Sequence, residues 1–141
     1  CAAGAAEIDM VMDVGRFLEG KYGDVERDIA AVVEAVRGGA IVKVILETGY
    51  LAVDQIRAAC EIAVSAGAHF VKTSTGFGPG GALAEHVALM RGAVPPQTGV
   101  KASGGIRTAE AARKMIEAGA TRIGTSSGAA IVAGAAAEGT Y

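Results

Sequence analysis

Lysine is the residue type in this chain whose placement points to chemistry. There are five (Lys21, Lys43, Lys72, Lys101 and Lys114), and three interrupt strand-like apolar runs: Val42-Lys43-Val44, Phe70-Val71-Lys72 and Val100-Lys101-Ala102. A solvated face would scatter lysines along helices. Inside a buried strand an unpaired ammonium is costly, and its usual escape is to give up the proton. A neighbouring cation pushes the same way, and a neutral amine attacks carbonyl carbon. Lys72 and Lys101, at matching positions on successive strands, therefore read as a nucleophile and its activator. The competing reading is a pair of strand lysines whose stems are buried and whose heads reach water.

Other candidates group around this pair. Asp9 lies mid-strand in Ile8-Asp9-Met10, where a buried carboxylate needs partners that inward-facing lysines would supply. It reads as an acid/base or water-positioning group. Lys43 and Glu47 share strand parity and read as charge partners facing the same interior, with a supporting rather than a catalytic role. Gly104-Gly105 and Ser126-Ser127-Gly128 each fall between a strand and a helix start, where backbone N–H groups can hold an anion such as phosphate. Ordinary turn chemistry would also place glycine and serine there. His69 and His86 have no ligand spacing with cysteine or carboxylate and are assigned to structure, and no metal cluster is expected.

These residues need a scaffold that alternates strand and helix. Glu7–Met12 reads as a strand with apolar residues on both faces. A helix capped by Asp24 runs to about Arg37, striped by Val25, Ile29, Val32 and Val36. Val42–Thr48 is the second strand, 53–66 the second helix, Phe70–Ser74 the third strand, and Leu83, Val87 and Met90 stripe the third helix. Gly99–Ser103 is the fourth strand, and Thr108 caps a helix that Gly119 ends. Arg122–Thr125 is the fifth strand, followed by an alanine-rich helix from about Ser127. The joints Ala3-Gly4-Ala5, Ala66-Gly67-Ala68 and Ala118-Gly119-Ala120 repeat one helix-to-strand turn, in which glycine supplies a left-handed residue.

Alternation of this kind implies α/β architecture with a parallel sheet. The first strand leads into Asp13-Val14-Gly15-Arg16, without the glycine fingerprint of an open dinucleotide-binding sheet. Polar residues instead crowd the strand C-terminal ends: Glu47-Thr48, Thr73-Ser74-Thr75, Ser103-Gly104-Gly105 and Thr125-Ser126-Ser127. That rim is where (β/α)₈ barrels hold their active sites, so the pattern favours barrel units. Only five βα units fit into 141 residues, against eight strands and about 250 residues for a whole barrel. A single domain spanning 1–141 is expected.

Composition excludes several classes. Half the residues are apolar (51%) and 20% are charged, which rules out disorder and fibrous repeats. A net charge of −2 offers no field for nucleic acid or membrane, and no apolar run approaches a membrane span. Cys1 and Cys60 are not a disulfide framework; Cys60 falls on an apolar helix stripe, and a reducing cytoplasm is the expected setting. A chain that starts at Cys1 is expected to be processed or part of something longer.

The run Phe70-Val-Lys-Thr-Ser-Thr-Gly76 with Val100-Lys-Ala-Ser-Gly-Gly-Ile-Arg107 closely resembles the deoxyribose-phosphate aldolase family, class I aldolases on a (β/α)₈ barrel. The resemblance extends to Glu7-Ile-Asp-Met-Val11, Val42-Lys-Val-Ile-Leu-Glu-Thr-Gly49 and Ile123-Gly-Thr-Ser-Ser127, and so to essentially the whole chain. It implies reversible cleavage of 2-deoxy-D-ribose 5-phosphate into D-glyceraldehyde 3-phosphate and acetaldehyde, with neither metal nor organic cofactor. It also implies that Lys72 forms the Schiff base, that Lys101 perturbs it, and that Asp9 works through a bound water. Thr75, Gly76, Gly104, Gly105, Ser126 and Ser127 would then hold phosphate or line the pocket. The family has three further βα units before the strand carrying Asp9, so the five here would be strands four to eight. An arc of that kind exposes sheet edges and an apolar face, which implies a homo-oligomer. The alternative function is a catalytically inactive, self-associating fragment.

Overall fold

The computed structural model describes residues 1–134. Five parallel strands form one sheet in the order β1-β2-β3-β4-β5. They are β1 (Glu7–Val11), β2 (Ile41–Ile45), β3 (Phe70–Lys72), β4 (Gly99–Ser103) and β5 (Arg122–Gly124). Helices follow them: α1 (Val14–Leu18) and α2 (Tyr22–Ala35) after β1, α3 (Val53–Ser65) after β2, α4 (Ala84–Ala93) after β3, α5 (Ala109–Glu117) after β4 and α6 (Gly128–Val132) after β5. Strand order follows chain order throughout, with none of the reversal that defines an open doubly wound sheet. The sheet is also curled. Arg122 on β5 reaches Glu7 on β1 at 3.0 Å, although four interstrand steps in a flat sheet would separate these strands by roughly 19 Å. Five βα units in sequential order on a curled sheet are a partial barrel.

The two sheet faces differ as alternation requires. Val42, Val44, Val71, Val100 and Ala102 point outward and are fully buried against the helices. Val25 and Ile29 of α2, Ile56, Ala59, Cys60 and Ala63 of α3, and Val87 and Met90 of α4 meet them from the other side. Burial pushes the Cys60 thiol up to about 12, so it packs as a small apolar residue. The inner face carries Glu7, Asp9, Lys43, Phe70, Lys72, Lys101 and Arg122. On β1 the helix side is apolar through Ile8 and Met10, while the inner side is charged at Glu7 and Asp9 and apolar only at the exposed Val11.

Element boundaries depart from the pattern where local chemistry competes. α2 starts at Tyr22 with Lys21 as its N-cap residue, because the Lys21 carbonyl accepts from the Asp24 and Val25 amides. Asp24 is thus a first-turn acid rather than the cap, a position that suits the positive helix end. Phe17 anchors the unanticipated α1, 1% exposed and with its ring 5.0 Å from that of Tyr22. Thr108 does cap α5, accepting from the Ala111 amide at 3.1 Å. β2 stops at Ile45 and β3 at Lys72, both short of the expected ends, and β5 stops at Gly124. Any continuation of the last helix past residue 134 lies outside the described residues.

One glycine is dictated by packing on the inner face. Phe70 pairs with Gly99 across β3 and β4, and the Phe70 ring lies over it under the Arg122 guanidinium, 5.3 Å from the ring centroid. A Cβ on Gly99 would fall 2.1 Å from that ring. Gly99→Ala should therefore lose about 1–3 kcal/mol in urea unfolding. Phe70→Leu should absorb most of that loss in a double-mutant cycle, and additive effects would contradict the account.

Candidate functional site

The inner face converges on Asp9. Its Oδ1 accepts from Lys43 Nζ at 2.7 Å, and its Oδ2 accepts from both Lys72 Nζ and Lys101 Nζ at 2.8 Å. Backbone register produces this meeting. Asp9 pairs with Lys43 across β1 and β2, and Lys72 pairs directly with Lys101 across β3 and β4. Curvature then brings β1 within reach of β4. Gly124 on β5 leaves room for the lysine stem, since a Cβ there would lie 3.0 Å from Lys101 Cε.

The cluster continues sideways. Lys43 also donates to Glu7 at 2.7 Å, and Glu7 accepts from Arg122. Lys43 is buried, with 4% of its side chain exposed, while the Asp9 side chain keeps 26%. Four cations (Lys43, Lys72, Lys101 and Arg122) thus share two carboxylates. Burial pushes the Asp9 carboxyl up, but hydrogen bonds from Lys101, Lys43 and Lys72 outweigh it and hold the group well below the usual carboxylate range. Burial likewise pulls Lys43 down, and its bonds to Asp9 and Glu7 outweigh that, leaving it above the usual lysine value. Lys43 therefore stays charged, against the expectation that a strand lysine escapes burial by losing its proton. Hydrogen bonds from Lys43 and Arg122 lower Glu7 in turn.

Glu47 does not pair with Lys43. It sits past the end of β2 at φ 54, and its carboxylate turns to the loop after β3, accepting from the Thr75 amide and hydroxyl. Strand parity fails here because the residue has left the strand.

Above the lysines opens a cleft of about 340 Å³ lined by Lys72, Lys101, Thr75, Gly76, Gly104, Gly105 and Ser126 together with Phe77, Ser103, Ile106, Arg107, Gly124 and Thr125. Seven of the proposed site residues are thereby brought together. Asp9, Lys43 and Glu47 lie outside its lining, and so does Ser127, whose amide is turned back onto Thr125 Oγ1 at 2.9 Å. Arg107, Thr125 and Phe77 also line the cleft, although the sequence gives none of them a site role: Arg107 and Thr125 stand inside motifs that carry the family resemblance and Phe77 directly follows one. Glu7 and Arg122 were also missed, and their signal was register: Glu7 is two residues before Asp9, and Arg122 pairs with Lys101. Buried hydroxyls hold the cleft's base, with Thr73 Oγ1 donating to the Ser103 carbonyl at 2.9 Å and accepting from its amide at 3.0 Å. His69 Nδ1 accepts from the Val42 amide at 3.1 Å, a structural role. Among the described residues no cluster of three His, Cys, Asp or Glu could hold a metal ion, and no helix is long and apolar enough to cross a membrane.

Known proteins match this chain over nearly its whole length. The chain is 57% identical over 138 residues to a deoxyribose-phosphate aldolase of Halalkalibacterium halodurans, covering 98% of this chain and 62% of that protein. It is 60% identical over 131 residues to one from Listeria monocytogenes, covering 93% and 59%. Similarity to deoxyribose-phosphate aldolases thus extends over nearly all of this chain. No family model matches it. Among solved structures, the tetrameric deoxyribose-phosphate aldolase of Aeropyrum pernix superposes with a TM-score of 0.85 at 36% identity, covering 94% of this chain and 56% of that one. The chain thus spans about three fifths of the length of the deoxyribose-phosphate aldolases it matches.

The charge cluster has a pH signature. A carboxylate held below its ordinary value stabilises the fold above about pH 4, and that stabilisation is lost as pH falls further. The urea midpoint should therefore fall between about pH 5 and pH 3. Asp9→Asn should be less stable at neutral pH, since three ammonium groups lose their shared anion, yet show a flatter acid limb. Parallel acid limbs in the two proteins would remove Asp9 from the account. Lys43 acts at the other end: its contribution is complete below about pH 10.4 and is lost as pH rises beyond.

Proposed function

We propose that this chain carries the Schiff-base centre of an aldolase that cleaves 2-deoxy-D-ribose 5-phosphate reversibly into D-glyceraldehyde 3-phosphate and acetaldehyde. The observation that carries this reading is the placement of Lys72 and Lys101 in one cleft, in register and on the same Asp9 oxygen. Lys72 is the nucleophile, because its amine is the one that lines the cleft beside Thr75 and Gly76 while also reaching Asp9. Lys101 is its partner, since it shares Asp9 Oδ2 with it directly. The supporting cation is Lys43, which occupies Oδ1.

The steps then follow from amine chemistry. Lys72 Nζ attacks the aldehyde carbon C1 of the open-chain sugar, and loss of water leaves a protonated imine. Removal of the proton on the C3 hydroxyl breaks the C2–C3 bond, and its electron pair moves into the imine. Glyceraldehyde 3-phosphate departs and an enamine remains. A proton returns to C2, water hydrolyses the imine, and acetaldehyde leaves with Lys72 restored. Asp9 is the acid/base group, acting through a water between it and the reacting atoms, with help worth about 10²–10⁴-fold. Gly76, Gly104, Gly105 and Ser126 take the phosphate end, with Thr75 beside them and Ser127 supporting from behind the lining.

Borohydride reduction in the presence of acetaldehyde tests this. A single adduct should map to Lys72 and vanish in Lys72→Leu. Trapping should weaken in Lys101→Leu, which removes the second amine from Asp9 Oδ2. A folded protein that forms no adduct would support the inert-fragment reading instead.

Self-association belongs to the same proposal. Among the described residues only one side of β1 and one side of β5 pair within the sheet, which leaves two edges open, and unpaired strand edges seek partners. A homo-oligomer is the expected form, seen in light scattering as a mass above that of one chain; a monomer at working concentration would contradict this. Phosphorylated sugar is the expected small-molecule partner, and a soluble cytoplasmic setting fits that substrate.

A further inference from the structure

Glu47 combines two features that folding alone disfavours. At φ 54 and ψ 60 it is the one non-glycine residue with positive φ among the described residues, a region where a Cβ is crowded. Its carboxylate is also buried, at 4% exposure, while the nearest expected cation, Lys43, is engaged by Glu7 and Asp9. Strain and buried charge in one residue persist where the surroundings hold it for a purpose.

The ladder explains how it got there. Leu46 N donates to the Lys72 carbonyl and Thr48 N to the Thr73 carbonyl, both at 2.9 Å. Two steps along β2 therefore match one along β3, and Glu47 is the extra residue of a bulge, a device that re-aims a side chain. Its carboxylate accepts from the Thr75 amide at 3.2 Å and from the Thr75 hydroxyl. Thr75 Oγ1 accepts in turn from the Phe77 amide at 3.1 Å. The far side is fitted as well, since a Cβ on Gly78 would fall 2.8 Å from Glu47 Cδ. Thr75, Gly76 and Phe77 are the wall of the cleft next to Lys72.

We infer that Glu47 is a positioning residue: it fixes the 75–78 loop as one wall of the cleft, so that substrate binding depends on its carboxylate while the reactivity of Lys72 does not. For its substrate this rests on the aldolase reading.

The test compares wild type, Glu47→Gln and Glu47→Gly in borohydride trapping with 2-deoxy-D-ribose 5-phosphate. Both variants should raise the half-saturating concentration about tenfold, as expected for loss of a hydrogen bond to a charged group. The limiting trapping rate and its pH profile should stay as in wild type. Glycine accepts φ 54 without strain, so the Glu47→Gly defect should appear even where its melting temperature matches or exceeds wild type. An unchanged half-saturating concentration, or a lowered limiting rate alone, overturns the inference. Absence of trapping in wild type would instead sink the aldolase reading, and amide hydrogen exchange then decides this one. The Thr75 and Phe77 amides should exchange about tenfold faster in Glu47→Gln than in wild type, with Val71 unchanged. Equal protection in the two proteins overturns it.

Discussion

One carboxylate organises this molecule. Asp9 receives three ammonium groups from three different strands, and few arrangements of a chain can bring that about. Each amine is too costly to bury alone, so the sheet must curl far enough for β1 to face β4. Each must also leave its strand on the inner side, which fixes the parity of three strands at once. A slip of one residue in any of them would turn its lysine into the helix layer and its valine toward the cleft. The same interaction therefore sets register, curvature and the content of the inner face.

Glycine and short polar side chains make the curl possible. Gly99 yields to the Phe70 ring and Gly124 to the Lys101 stem, so two inner-face positions are empty because their neighbours fill them. Farther up, Gly81 and Gly104 approach with backbone against backbone: a Cβ on Gly81 would lie 2.5 Å from the Gly104 carbonyl oxygen. The outer face needs none of this. There valines and alanines pack against amphipathic helices, and alternation along each strand keeps the two tasks apart.

Much of this was legible in the sequence. The helix stripes and repeated glycine joints predicted five βα units, and β4 occupies the residues expected of it. The lysine pair and Asp9 could be singled out because charged residues inside apolar runs are rare and need partners. What escaped was whatever depends on departures from regular backbone. Counting residues along an ideal strand pairs Glu47 with Lys43, and the bulge invalidates the count. The Asp24 side chain suits a cap, yet the Lys21 carbonyl starts the helix a turn earlier. Arg122 and Glu7 join strands at opposite ends of the sheet, 115 residues apart in sequence, and no local pattern records such a contact. Arg107 and Phe77 stand in loops, where periodicity carries no information.

The doubled hydrogen bonding between Thr73 and Ser103 has a geometric corollary. Because these hydroxyl stitches lie just past the lysines, β3 and β4 cannot slide without breaking buried bonds that have no water to replace them. The spacing of the two lysine backbones is thereby inherited from the pitch of the sheet, about 4.8 Å between neighbouring strands. It is a ruler made of backbone, insensitive to side-chain rotamers elsewhere. Whatever molecule enters, the second lysine rises from the same side of the first, which gives the site a handedness before any substrate arrives.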